Sequence, residues 1–137
     1  MPDIRNLYLS LPDLTKRLCK ISNRLRIMRS SHSFSAREYC VLERMHKIIQ
    51  KGMDGLIQRL DNDLKDDCVR ILVPIECIQG LCLIGNMKPD ELCMLFIKIC
   101  ELIRSQCRSN LSRNSLFFIG GVISGLNKQI RLYQKWK

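Results

Sequence analysis

Two histidines, eight cysteines and thirteen carboxylates are the side chains of this 137-residue sequence that could move protons, attack a carbon or hold a metal. Their spacing asks for none of these. His32 and His46 fall in different elements, and neither has a Ser-x-Gly or cysteine nucleophile signature beside it. Asp61, Asp63, Asp66 and Asp67 are as dense as a calcium loop but lack its central Gly and closing Glu, so they read as a solvated linker. Gly120 and Gly121 follow Phe117-Phe118-Ile119 inside a helical pattern, not the strand-to-helix turn that cradles a dinucleotide. The chain reads as a non-enzyme, with no cofactor, no metal and no small-molecule substrate.

The cysteines form no CxxC pair. Cys93, Cys100 and Cys107 recur every seven residues, which on one helix spreads them over roughly 20 Å and keeps them from one tetrahedral ion. With Cys77 and Cys82 they sit among Leu, Ile and Val, where a thiol acts as a small hydrophobe. The start, Met1-Pro2-Asp3-Ile4-Arg5, lacks the charged-then-apolar order of a secretory signal. A reducing intracellular compartment is expected, with no disulfide.

The chemistry left is that of positive charge. The formal net charge is +10, and it is unevenly spread. Residues 1–60 hold twelve Lys/Arg against five Asp/Glu, residues 61–103 four against eight, and residues 104–137 seven against none. Two basic ends bracket an acidic middle, which a polyanion touching both ends would explain. Lysine and arginine supply the phosphate neutralisation behind most non-specific affinity for nucleic acid. The candidate RNA-binding residues at the first end are Arg17, Lys20, Asn23, Arg24, Arg26, Arg29, His32 and Arg37. At the second end they are Lys128, Arg131 and Lys135. Tyr133 and Trp136 could stack bases, whereas Tyr39 is expected in the core.

Helical spacing runs through the elements that must carry these residues. Leu14, Leu18, Ile21, Leu25 and Met28 make one apolar stripe. Ser35 and Glu38 form a capping box ahead of Tyr39, Leu42, His46, Ile49, Met53, Leu56 and Leu60. His46 on that stripe reads as a partly buried histidine with a hydrogen-bond partner. Pro89, Asp90 and Glu91 open a helix apolar over so wide an arc that it must be central. The pattern predicts helices near 12–29, 35–60, 74–85, 89–107 and 114–136, no sheet, and one all-α domain over 1–137.

The last helix is the most apolar. Leu116, Ile119, Ile123, Leu126, Ile130 and Tyr133 mark its buried face, and Gly121 and Gly125 leave another side as bare backbone for close helix packing. Its apolar run is about half the roughly 20 residues a membrane crossing needs, so no membrane partner is expected. The architecture is a compact bundle of about five helices around this central, Gly-containing C-terminal helix.

Two stretches resemble a known family. Asn23-Arg24-Leu25-Arg26-Ile27-Met28-Arg29-Ser30-Ser31-His32, followed by a capped helix, is similar to the Asn/Arg-rich turn of the nucleolus and neural progenitor protein family and of the yeast RNase MRP-specific protein subunit. Leu116-Phe117-Phe118-Ile119-Gly120, leading to Ile130-Arg131-Leu132-Tyr133, resembles that family's last core helix. The tryptophan-rich middle of the yeast subunit has no counterpart here. The resemblance implies a nuclear, nucleolar, all-helical RNA-binding component of an RNase MRP-type ribonucleoprotein, acting in ribosomal RNA processing beside other protein subunits. It places Asn23, Arg24, Arg29 and His32 at the RNA-facing turn. The competing expectation is a helical protein-interaction module, such as a Bcl-2-like bundle presenting a groove to a partner helix.

Overall fold

Two serines start the first two helices. Ser10 Oγ accepts from the Asp13 N–H at 3.3 Å, opening α1 (Leu11–Arg29), with Pro12 in the first turn where its missing N–H costs nothing. Ser35 and Glu38 exchange hydrogen bonds at both 3.2 Å, the expected capping box, and open α2 (Ala36–Asp63). Three helices follow: α3 (Ile75–Cys82), α4 (Pro89–Cys107) and α5 (Arg113–Trp136). A 3-10 turn, Ile84–Asn86, stops the chain after α3 near the expected Gly85-Asn86. The structure, a computed structural model, describes residues 5–31, 33–64 and 69–136. His32, Asp66, Asp67 and the first four residues lie outside the described residues.

The molecule is the expected all-α bundle of five helices, with one addition. Asn6–Ser10 (β1) and Arg70–Pro74 (β2) pair antiparallel, with Tyr8 opposite Leu72 and Leu9 opposite Ile71. The expectation of no sheet is therefore corrected. Each strand has five residues, so β2 offers only Ile71 and Val73 as buried positions. Two positions are too few to distinguish a period of two from a helical one. Gln106 of α4 closes the far edge of β2: its amide accepts from Leu72 N–H and donates to Leu72 C=O, both at 2.8 Å.

Helix α4 is the most enclosed element. Leu92, Cys93, Phe96, Ile99 and Ile103 are fully buried, and Cys100 and Cys107 nearly so. Burial pushes the Cys93 thiol up and the Cys100 thiol up to about 12, so both stay protonated and pack as hydrophobes. Cys82, by contrast, is exposed. Helix α5 packs against α2 on one side and α4 on the other, and α1 closes the bundle against α2 and α4.

The α2–α5 pair is antiparallel along its whole length, and this places the site. Arg37 meets Trp136, Ile48 meets Gly125, Gly52 meets Val122, Gly55 meets Phe118, and Asp63 meets Ser115. The glycines that take close contact are thus on α2. A Cβ on Gly52 would lie 3.0 Å from a Val122 methyl, and one on Gly55 would overlap the Phe118 ring. A Cβ on Gly121 would meet nothing within 4 Å, and one on Gly125 would touch Ile48 at an ordinary 3.5 Å. The expected helix-packing role is corrected for Gly121, which faces no described side chain, while Gly125 does take Ile48 of α2 at ordinary contact; the tightest approaches are of α5 side chains onto Gly52 and Gly55 of α2. Asp63 is corrected too. Instead of belonging to a solvated linker, it accepts from Ser115 Oγ at 2.6 Å and Ser112 N–H at 3.0 Å, holding the start of α5. Those hydrogen bonds keep its carboxyl below the usual aspartate range.

Candidate nucleic-acid interface

The end of the bundle where α1 finishes, α2 begins and α5 finishes is where the candidate residues gather. Two concavities meet there. One is lined by Arg29, Ser30, Ser31, Phe34, Ser35 and Tyr39, the other by Arg37, Val41, Arg44, Leu132 and Trp136, and both touch Ala36 and Cys40. The first two turns of α2 form the ridge between them, so the positive end of that helix lies in the same surface.

Each concavity joins an aromatic face to a guanidinium. The Arg37 guanidinium lies 4.4 Å from the Trp136 ring centroid, and the Lys135 ammonium lies 5.1 Å from it. Trp136 and Tyr39 are 38% and 39% exposed, enough for a flat ligand to reach both. Arg37, Arg44 and Lys135 are exposed, and none has a carboxylate within ion-pair distance among the described residues. The two basic ends of the sequence therefore meet in space.

Arg29 is positioned differently. Its Nη1–H donates to His46 Nδ1 at 3.3 Å, so the imidazole is the acceptor there and carries its proton on Nε2. Burial, with Arg29 and then Arg26 nearby, lowers the His46 pKa, so the ring is neutral at pH 7. The buried histidine with a partner that the sequence suggests is thus present, and its role is to orient an arginine at the surface.

The remaining candidates divide. Lys20, Asn23 and Arg26 are exposed along α1, and Arg24 is half-buried with its Nε lacking a partner. Arg17, a candidate at the first basic end, is paired: it bonds Asp13 one turn earlier at 3.3 Å. It also lies roughly 18 Å along α1 from Arg29, outside the cluster. Lys128, Arg131 and Lys135 share the outer, exposed face of α5, of which Lys135 reaches the Trp136 concavity. His32 lies outside the described residues.

No protein-family model, curated protein or solved structure matches this chain.

Sequence reasoning missed Arg44 and misplaced Tyr39. The signal was present in the spacing of Arg37, Cys40 and Arg44 at three and four residues, which puts them on one side of α2. Tyr39 fits the apolar stripe by position, yet it lies at the first turns of the helix, beyond the reach of the opposing core. Among the described residues no three His, Cys, Asp or Glu side chains converge as metal ligands, and no helix is long and apolar enough to cross a membrane.

Proposed function

We propose that this protein is a non-catalytic RNA-binding subunit of a ribonucleoprotein, and that RNA lies across the end of the bundle formed by α1, α2 and α5. The observation that carries this reading is the Arg37–Trp136 stack. It joins the two basic ends of the chain into one surface with both ingredients of single-strand recognition, phosphate-neutralising cations and an aromatic platform. Tyr39, on the other side of the ridge, offers a second base a place to stack. The resemblance of the 23–32 turn and the last helix to the nucleolus and neural progenitor protein family supports a finer statement. In that reading the particle is of the RNase MRP or RNase P kind, works in ribosomal RNA processing, and resides in the nucleolus.

The sequence has one tryptophan, Trp136, so selectively excited tryptophan fluorescence reports on this surface alone. A stem–loop RNA with single-stranded flanks should quench it, with an affinity that falls steeply as salt rises. An Arg37→Ala/Arg44→Ala variant should melt like wild type, because both side chains are exposed. Its salt slope should fall by roughly 0.7–0.9 for each phosphate that the two arginines neutralise in the wild-type complex. Unchanged affinity and slope in this variant, or no quenching on saturation with RNA, would overturn the proposal.

A further inference from the structure

We propose that the groove between α2 and the first half of α5 receives an acidic amphipathic helix from a protein partner. The groove is floored by Gly52, Phe118, Val122 and the bare backbone of Gly121. Phe117 forms one lip and is 83% exposed, the most open of the large apolar side chains. Lys51 and Arg59 form the other. No described residue covers Gly121, since a Cβ there would meet none of their atoms within 4 Å. From Asn114 to Gly125 the groove follows α5 for roughly 16 Å, three turns of a partner helix.

Shape and charge together name the occupant. A glycine floor lets a helix approach closely, and one large apolar side chain of that helix would fill the space beside Phe117. Among the described residues no carboxylate lines the groove. The Arg59 guanidinium lies 3.9 Å over the Phe118 ring and donates to the Gly55 carbonyl, with no ion-pair partner among the described residues. Asp54 is on the same helix but turned about 60° from Lys51, away from the groove. A partner stripe of apolar residues at helical spacing, flanked by Glu or Asp, would cover the floor and neutralise Lys51 and Arg59. A second copy of this chain fits poorly. Its two-fold contact would bring together two faces that each carry Lys51 and Arg59, on molecules of net charge +10. Along α5 the groove ends at Gly125, roughly 16 Å short of Trp136, and Phe117 lies roughly 28 Å from it, so this inference does not rest on the RNA reading.

The probe is a dye-labelled helical peptide of leucine at helical spacing and glutamate elsewhere, read by fluorescence anisotropy. Its counterpart carries lysine in place of glutamate. The Leu/Glu peptide should bind the full chain, and the Leu/Lys peptide at least about ten-fold more weakly. Gly121→Leu, which fills open space, and Phe117→Ala, which shortens an exposed lip, should each weaken the Leu/Glu peptide about ten-fold. Both variants should keep the wild-type circular dichroism spectrum and melting curve or better. Arg37→Ala/Arg44→Ala should leave peptide affinity unchanged. The proposal is overturned if neither peptide binds, if both bind equally, or if only the Arg37/Arg44 variant loses binding. It is also overturned if Phe117→Ala instead dissolves a homodimer seen by sedimentation, releases the protein from anionic phosphatidylserine vesicles, or weakens RNA binding. Each of those results would name a different occupant.

Discussion

Gly52→Ala and Gly121→Ala make the same chemical change on facing helices, and the packing gives them opposite signs. Neither glycine has positive φ, so alanine fits both backbones. The propensity gain, about 0.8–1.0 kcal/mol for Gly to Ala in a helix interior, is common to the two. At Gly121 nothing opposes it, because the new methyl meets no atom within 4 Å. At Gly52 the methyl would lie 3.0 and 3.1 Å from the two γ-methyls of Val122. Valine in a helix holds almost one χ1 rotamer, so those methyls cannot swing aside together and the helices must part. Overpacking of this kind costs about 1–3 kcal/mol. Subtracting one variant from the other cancels propensity, so Gly121→Ala should exceed Gly52→Ala in stability by about 1–3 kcal/mol. At roughly 4 °C per kcal/mol for a chain of this size, that is about 4–12 °C in Tm. Urea denaturation followed by circular dichroism, with equal m-values, isolates the stability term. If Gly52→Ala proves as stable as Gly121→Ala, the α2–α5 register described here is wrong, and so is the open groove beside Phe117.

Three further outcomes are expected. His46 has a folded-state pKa below its ordinary 6.5, so the stability it contributes is present above that value and is lost as pH falls below it. Melting temperature should therefore drop between pH 7 and 5, and a His46→Gln variant should show a shallower drop; equal slopes would refute a His46 held neutral by burial and the neighbouring Arg29. Asp63 is also depressed, so its contribution is present above its ordinary 3.8 and is lost on further acidification. Asp63→Asn should lower Tm at neutral pH and flatten the acid limb, and an unchanged Tm would show that it does not hold α5. Gln106→Ala leaves the Leu72 N–H and C=O without their partner, and at about 0.5–1.5 kcal/mol for each bond it should speed amide exchange at Leu72 first.

What the sequence made legible was whatever is decided within a few turns. The Ser35–Glu38 box, the Pro89 start and the buried stripes of α1 and α4 each rest on neighbours three or four residues apart, and all are where their spacing puts them. The β1–β2 ribbon was hidden because its strands are short and far apart in sequence, so no local pattern records their pairing. The glycines failed for a related reason. Spacing shows that Gly121 and Gly125 bare one side of α5, but not whether any neighbour fills it; that depends on the register against α2, where Gly52 and Gly55 receive the side chains. At the site, the basic residues were legible one by one. Their convergence was not, because Arg37 and Trp136 stand far apart in the sequence and meet only when α2 and α5 run antiparallel.

The fate of the acidic middle supports the proposal that the basic end binds a polyanion. A chain of net charge +10 could have used its carboxylates to screen its cations. Several of them instead hold the fold. Asp63 anchors the start of α5, Glu91 caps α4 through the Lys88 N–H at 3.0 Å, and the buried Asp90 accepts from Gln134 at 3.4 Å. The ion pairs seen on the basic helices are Arg17 with Asp13 and Lys47 with Glu43, each between residues one turn apart. Glu38 is the carboxylate nearest in sequence to Arg37, and it is committed to the Ser35 N–H. Arg29 on one side of the α2 ridge, and Arg37, Arg44 and Lys135 on the other, are thus left without an ion pair among the described residues. Clustered like charge at low screening is unfavourable, and stacking on an indole relieves only part of it. The arrangement commits its acids to caps and leaves its bases around two aromatic rings, where like charge accumulates. In the proposed RNA complex a polyphosphate chain would offset that charge directly, because it supplies negative charge at the spacing of successive phosphates and flat bases for Tyr39 and Trp136.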